Sequence, residues 1–118
     1  MRTSSYFTYF GAGRIGISRG LPASMKGKFP VNLNFAPTWA MLKMSTDDYL
    51  TEFDKILSRL DAEEELEKMI KMTGCPDPVL LCYEKPPFTE SNWCHRRIVA
   101  GWFEEKLGII VPEIGEVD

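Results

Sequence analysis

Apolar and polar residues are arranged along this chain with two different periods, which predict strands and helices in turn. The aromatic run 5–10 and the alternating run 14–19 near the start are typical of short strands. The continuous apolar run Val79 to Cys82 is typical of a strand covered on both faces. Ile109 to Val111, followed by a proline, is predicted as a final strand at an edge or end of the sheet.

Between these strands, apolar residues recur three and four positions apart, which is the period of amphipathic helices. Ser45 with Asp48, and Asp61 further along, are suitable N-terminal caps, while Gly74 and Gly108 are suitable stops. The predicted helices cover residues 38–43, 45–60, 61–74 and about 95–107. The intervening residues 23–35 are predicted as a loop that is long enough to bind a ligand.

This order of strands and helices predicts the fold class. Fully apolar short strands that alternate with helices favour a parallel sheet with right-handed crossovers. We therefore expect one α/β domain over residues 1–118, with a small, mostly parallel sheet flanked by helices in a Rossmann-like sandwich.

The net charge of −3 hides an uneven distribution of charged residues. The first 46 residues contain six basic and no acidic side chains, whereas all seventeen acidic residues follow with the other eight basic ones. Such asymmetry can mark a surface that faces an anion, or the two parts can simply pair with each other. Nucleic-acid binding by the basic segment is possible, but the negative total charge does not favour it.

Composition also bounds the cellular context and the metal chemistry. The chain has no apolar run of about 18 residues, so no membrane span is expected, and a cytoplasmic location is predicted. Its three cysteines, Cys75, Cys82 and Cys94, are an odd number and are expected to be reduced thiols. A zinc site formed with His95 is not favoured, because the chain has no C-x-x-C pair. No metal or cofactor is predicted.

Chemically versatile residues are concentrated where the last helix begins. Cys94, His95 and Arg96 follow the loop after the apolar strand, and Arg19 follows the second strand. In open α/β sheets, ligands bind beyond the carboxyl ends of strands and beside helix N-termini. Guanidinium and backbone N–H groups at that place would favour phosphate or carboxylate. Arg19 and Arg96 are thus predicted to line one pocket for an anionic small molecule, such as a nucleotide or nucleotide-derived ligand.

Three further residues complete this predicted ligand site. Glu84, at the end of the apolar strand, would contact a hydroxyl group or a base of the ligand. Ser18 and Lys26 would contribute from the loop that follows the second strand. The residues leave the identity of the ligand and the oligomeric state open.

The same cluster supports an alternative reading as a thiol-dependent enzyme. A thiol at a helix N-terminus, beside imidazole and guanidinium groups, should have a lowered pKa. Cys94 would then be the nucleophile and His95 its base. Adjacent residues on a helix do not face each other, however, so the two side chains need not touch.

The strand Leu80-Leu81-Cys82-Tyr83-Glu84, followed by Cys94-His95-Arg96, resembles the family catalogued as domain of unknown function 488. Members of that family carry an LLCxE strand and a CHR helix start, and the segment Ile17 to Pro22 is similar to their early Arg-x-x-Pro segment. Larger members have an aspartate where Ile17 stands here, and the compact form is similar to members from bacteria and phages. The resemblance implies an α/β domain and no particular activity. The residues it points to are Arg19, Cys82, Glu84, Cys94, His95 and Arg96.

Overall fold

A computed structural model of the chain describes residues 1–84 and 94–114, and these residues form a three-stranded parallel sheet with helices packed beside it. The strands are β1 (Arg2–Ser5), β2 (Arg14–Gly16) and β3 (Val79–Cys82), in the spatial order β1-β3-β2. The central strand β3 therefore pairs with both neighbours, and Leu80 lies opposite both Thr3 and Ile15. The predicted α/β class and parallel sheet are confirmed.

Helices account for most of the remaining described residues. The α-helices are α1 (Thr46–Ser58), α2 (Ala62–Thr73) and α3 (His95–Leu107), and short 3₁₀ helices cover Ala23–Met25, Leu33–Phe35 and Ala40–Lys43. The Ser45 and Asp61 side chains cap α1 and α2 by accepting hydrogen bonds from backbone N–H groups, as the sequence predicts. Gly74 ends α2 in the left-handed region at φ +65°, which glycine adopts without steric cost. None of these helices is long and apolar enough to cross a membrane.

The hydrophobic core lies around β3, whose four residues are all buried. Helix α3 packs against β1 and β3, and α2 packs against β2 and α3. Strand β1 contributes buried polar residues rather than apolar ones. Their hydroxyl groups are satisfied by donation: Thr3 to a Glu113 oxygen, Ser4 to the Ile114 carbonyl and Ser5 to the Tyr83 carbonyl. The bonds from Thr3 and Ser4 tie the segment after α3 to the edge of the sheet, and the bond from Ser5 joins β1 to the residue that follows β3.

Two predicted strands are corrected by the structure. The first strand covers Arg2–Ser5 and not residues 5–10, because the Ser5 carbonyl accepts from the N–H groups of Thr8 and Tyr9 and so closes a turn. Residues 109–111 form no strand, although Glu113 makes a single bridge to Thr3. In both segments an apolar residue is buried without being part of a strand, since Tyr6 lies in a turn and Val111 in irregular backbone and both are fully buried.

Candidate functional site

A cavity of about 460 Å³ lies at the carboxyl ends of β2 and β3. Its lining includes residues 18–20, which follow β2, residues 82–84 at the end of β3, and Cys94 and His95 at the start of α3. The remaining wall comes from residues 37–49, before and within α1. The volume falls within the range of about 300–1,000 Å³ that small-molecule sites occupy. The structure thus brings together the two strand ends that the sequence analysis placed near one another.

Arg19 is an exposed cation in this lining. Its Nε–H donates a hydrogen bond of 2.9 Å to the Pro37 carbonyl, which orients the guanidinium group. Among the described residues, the terminal NH₂ groups of Arg19 donate to no protein atom. They are therefore available to a ligand, in the bidentate geometry that suits carboxylate and phosphate.

A second, shallower depression of about 610 Å³ adjoins the cavity. The two share Arg19, Gly20 and Trp39, and the second also contains Lys26. Arg19 therefore stands between two concave surfaces. The structure places Lys26 within reach of the region around Arg19 but outside the main cavity.

Ser18 lines the cavity, yet its hydroxyl group is already used. It donates to the Gly20 carbonyl at 2.7 Å, and the Tyr6 hydroxyl lies 2.6 Å from it. Because the Ser18 hydroxyl donates its one proton to the Gly20 carbonyl, the Tyr6 hydroxyl is the donor of the shorter bond. Burial is the main cause that raises the pKa of Tyr6 to about 12, so it stays protonated. Ser18 thus fixes the loop after β2, with limited capacity left for a ligand.

Glu84 lines the cavity beside Tyr49 and is partly exposed. Burial raises the pKa of Tyr49 well above its usual value, and the negative charge of Glu84 adds to the effect. The cavity therefore presents a carboxylate and a neutral phenol on one side. The loop that continues from Glu84 towards Cys94, residues 85–93, lies outside the described residues.

Cys82 and Cys94 are joined as a disulfide in the structure, while Cys75 is not. The prediction of three separate thiols is thus corrected, because the end of β3 and the start of α3 bring two of the sulfurs together. The Cα atoms of the pair are 7.0 Å apart. Catalysis by Cys94 would accordingly require the reduced form.

His95 is 6% exposed and lies against the disulfide. Its Nε2 faces the Ile17 carbonyl, which only accepts, so Nε2 carries the proton and Nδ1 has the lone pair. Nδ1 lies 3.7 Å from the Cys94 sulfur. The two adjacent side chains meet because Cys94 caps the helix with extended backbone angles, φ −134° and ψ 142°. Burial, with a smaller contribution from the neighbouring Arg96 charge, lowers the pKa of His95 to about 4, so the ring is neutral at pH 7.

Arg96 has a different role from the one predicted. Its side chain is fully buried and is not part of the cavity lining. Nε and Nη2 each donate 2.9 Å bonds to the two Glu113 oxygens, and Nη1 lies 3.1 Å from the Cys82 sulfur. Arg19 and Arg96 therefore do not share a pocket, because a guanidinium group inside the core must be neutralised by a carboxylate there.

The cavity has an apolar rim that the sequence pattern does not predict. Trp39, Leu42 and Met44 line it and are 63%, 60% and 39% exposed. They belong to residues 37–44, which the sequence indicated only as a short helix. Trp39 and Leu42 are three positions apart, a spacing that is also typical of the buried face of a helix, so only their exposure identifies this rim.

Comparison of the chain with protein-family models, curated protein sequences and solved structures finds no match. The resemblance to the domain of unknown function 488 therefore stays a prediction.

Proposed function

We propose that this chain binds a small organic anion that has an aromatic or apolar body. The anionic group is held by Arg19, and the body occupies the cavity behind it. The observation that carries the proposal is the position of Arg19, whose terminal NH₂ groups lack protein acceptors among the described residues, between two adjoining concave surfaces. A nucleotide or a nucleotide-derived ligand fits this description.

The rim around Arg19 supports an apolar ligand body. Trp39, Leu42 and Met44 expose large side chains to water at the mouth of a cavity. A contiguous exposed apolar patch of this kind marks a binding surface more often than a single exposed residue does. A flat aromatic group placed against Trp39 would remove that apolar area from water, which stabilises the complex.

The distribution of charge supports the sign of the ligand. Among the described lining residues of the two depressions, Arg19 and Lys26 are cationic, Glu84 is anionic and His95 is neutral at pH 7. The cations flank the second depression and the carboxylate lies in the first. An anionic group is therefore favoured beside Arg19, while Glu84 is suited to accept a hydrogen bond from an N–H or O–H group of the ligand body.

The experiment uses anilinonaphthalene sulfonate, an aromatic anion whose fluorescence rises in apolar surroundings. We expect saturable binding to the folded chain, weakened about tenfold by Arg19→Gln, because a hydrogen bond to a charged group contributes at least about 1.5 kcal/mol. Lys28→Gln is the matched control, since Lys28 is an exposed cation that lines neither depression. Equal affinities in the wild type and Arg19→Gln would contradict the proposal. Native mass spectrometry of the purified protein would identify a ligand that co-purifies.

A second candidate function, thiol-dependent catalysis, is supported by the contact between His95 and Cys94. In the reduced protein, the Nδ1 lone pair lies 3.7 Å from the Cys94 sulfur and is placed to accept a hydrogen bond from its thiol. The test is alkylation of the reduced protein by iodoacetamide at neutral pH, followed residue by residue with mass spectrometry. Faster modification of Cys94 than of Cys75 is expected, and His95→Gln should remove the difference. Equal rates at the two cysteines would count against this function.

A further inference from the structure

Three metal-binding side chains meet at the floor of the cavity. The sulfurs of Cys82 and Cys94 and a ring nitrogen of His95 lie within 4.8 Å of one another, and all three residues are buried. We propose that the reduced chain binds one zinc-class divalent cation through these three atoms, with the fourth coordination position open to the cavity. This inference goes beyond the proposed anion binding and does not depend on it.

The distance between the sulfur of Cys94 and the ring nitrogen of His95 agrees with tetrahedral coordination. Zinc bonds of about 2.3 Å to sulfur and 2.0–2.1 Å to nitrogen place a sulfur and a nitrogen ligand about 3.5 Å apart in a tetrahedron. The Cys94 sulfur and His95 Nδ1 are 3.7 Å apart. The Cα separation of Cys82 and Cys94, 7.0 Å, exceeds the range of about 4.4–6.8 Å usual for bonded cysteines. The backbone therefore accommodates two sulfurs that are separated by a metal ion.

The histidine is already in the tautomer that a metal requires. Because Nε2–H donates to the Ile17 carbonyl, Nδ1 presents its lone pair towards the sulfurs. Zinc-binding histidines commonly donate their second ring N–H to a backbone carbonyl, which fixes the ring orientation. The rings of Phe53 and His95 also pack edge to face, with their centroids 5.6 Å apart, and this contact limits rotation of the imidazole further.

The surroundings favour the thiolate form that a metal binds. Arg96 Nη1 lies 3.1 Å from the Cys82 sulfur, and Cys94 occupies the N-cap of the thirteen-residue helix α3. A guanidinium donor and the positive end of a helix dipole both stabilise a negative sulfur. Two thiolates would then neutralise a divalent cation inside the core, which avoids an uncompensated buried charge.

The cavity supplies the open coordination position. The cavity is lined by all three metal-binding residues, Cys82, Cys94 and His95. Among the described residues, the metal-binding cluster consists of these three donors. Three protein ligands with a fourth position held by water or substrate are typical of catalytic rather than structural zinc sites. Binding requires that the disulfide first gain two electrons from a reductant such as a phosphine, which becomes the phosphine oxide, and two protons from the water that supplies the oxide oxygen. The cation then displaces both thiol protons.

The experiment measures cobalt and zinc binding to the full chain after phosphine reduction. Added cobalt is expected to give a sulfur-to-cobalt charge-transfer band at one equivalent per chain, and zinc should displace it. Cys82→Ser and Cys94→Ser should each lower the intensity of this band by about half and weaken zinc more than about a hundredfold, beyond the 10–100-fold loss typical of outer-shell partners. Cys75→Ser is the matched control, because Cys75 is outside the cluster, and should behave as the wild type.

A further readout keeps the proposal testable if a cysteine variant fails to fold. His95 is the chain's single histidine, so its ring nitrogen signals are unambiguous by NMR, and zinc should shift Nδ1 far more than Nε2. The proposal is overturned if the reduced wild type retains no metal after desalting, if cobalt binds without a charge-transfer band, or if the Nδ1 signal does not move. Anilinonaphthalene sulfonate binding by Arg19→Gln is measured separately, so failure of one proposal is distinguishable from failure of the other.

Discussion

Removing the carboxylate of Glu113 should destabilise this protein severely, because it breaks the ion pair that this carboxylate forms with the buried Arg96 guanidinium. Both side chains of this ion pair are 0% exposed, and two hydrogen bonds of 2.9 Å join them. Breaking a fully buried pair by removing one partner costs about 3–5 kcal/mol. A domain of this size has a free energy of unfolding of about 5–15 kcal/mol. Glu113→Gln is therefore expected to lose a large part of the total stability.

Urea unfolding followed by circular dichroism measures this loss. With a denaturant slope of about 2 kcal/mol per M, the unfolding midpoint of Glu113→Gln should fall by about 2 M. Thr3 also donates a 2.7 Å hydrogen bond to Glu113, and the glutamine amide can still accept it through its oxygen. The loss is thus attributed mainly to the missing charge.

Two variants decide between a structural role and a ligand-binding role for Arg96. Arg96→Met with Glu113→Leu removes both charges and should recover most of the stability, since an apolar replacement of a buried pair is often neutral. Arg19→Gln, at an exposed cation, should change the free energy of unfolding by no more than about 0.5 kcal/mol. This reasoning would be refuted if the free energy of unfolding of Glu113→Gln were within about 1 kcal/mol of the wild-type value.

Three further predictions follow from single residues. In the folded chain His95 stays neutral down to its pKa of about 4, whereas in the unfolded chain it is protonated below a pKa near 6.5. The contribution of His95 to the free energy of unfolding is therefore fully present above pH 6.5 and is lost as the pH falls towards 4. Urea unfolding with a chelator present should show that the free energy of unfolding falls by about 2 kcal/mol between pH 6.5 and 5, and this fall should be absent in His95→Gln. Gly13→Ala, at φ +82° with a new Cβ 2.8 Å from a backbone carbonyl, should lower the thermal midpoint more than Gly27→Ala, at φ +78° in open space. Asp61→Ala removes the cap of α2 and should cost about 1 kcal/mol in chemical unfolding, whereas an unchanged midpoint would show that the cap contributes nothing.

Local patterns in the sequence were sufficient to predict the three α-helices and the central strand, but not the short 3₁₀ helices within residues 23–35. The caps at Ser45 and Asp61 and the stop at Gly74 act within a few residues of themselves, so the helices begin and end near where those residues place them. Strand β3 was likewise predictable, because four consecutive apolar residues between prolines and a polar loop are typical of a short buried strand. The same reasoning predicted that residues after β2 and β3 would meet at one end of the sheet.

Three-dimensional packing alone decided the chemistry of the residues at that end. Arg96 and His95 are neighbours in the sequence, yet one is neutralised inside the core by Glu113 and the other faces the cavity beside Cys94. Pairing with Glu113 joins residues that the local sequence pattern does not connect, because it depends on how the segment after α3 returns to β1. The sequence thus determined where reactive groups cluster. Only the tertiary structure decided which of them are buried and paired and which, like Arg19, have polar atoms available to a ligand, because burial and partner choice depend on long-range contacts.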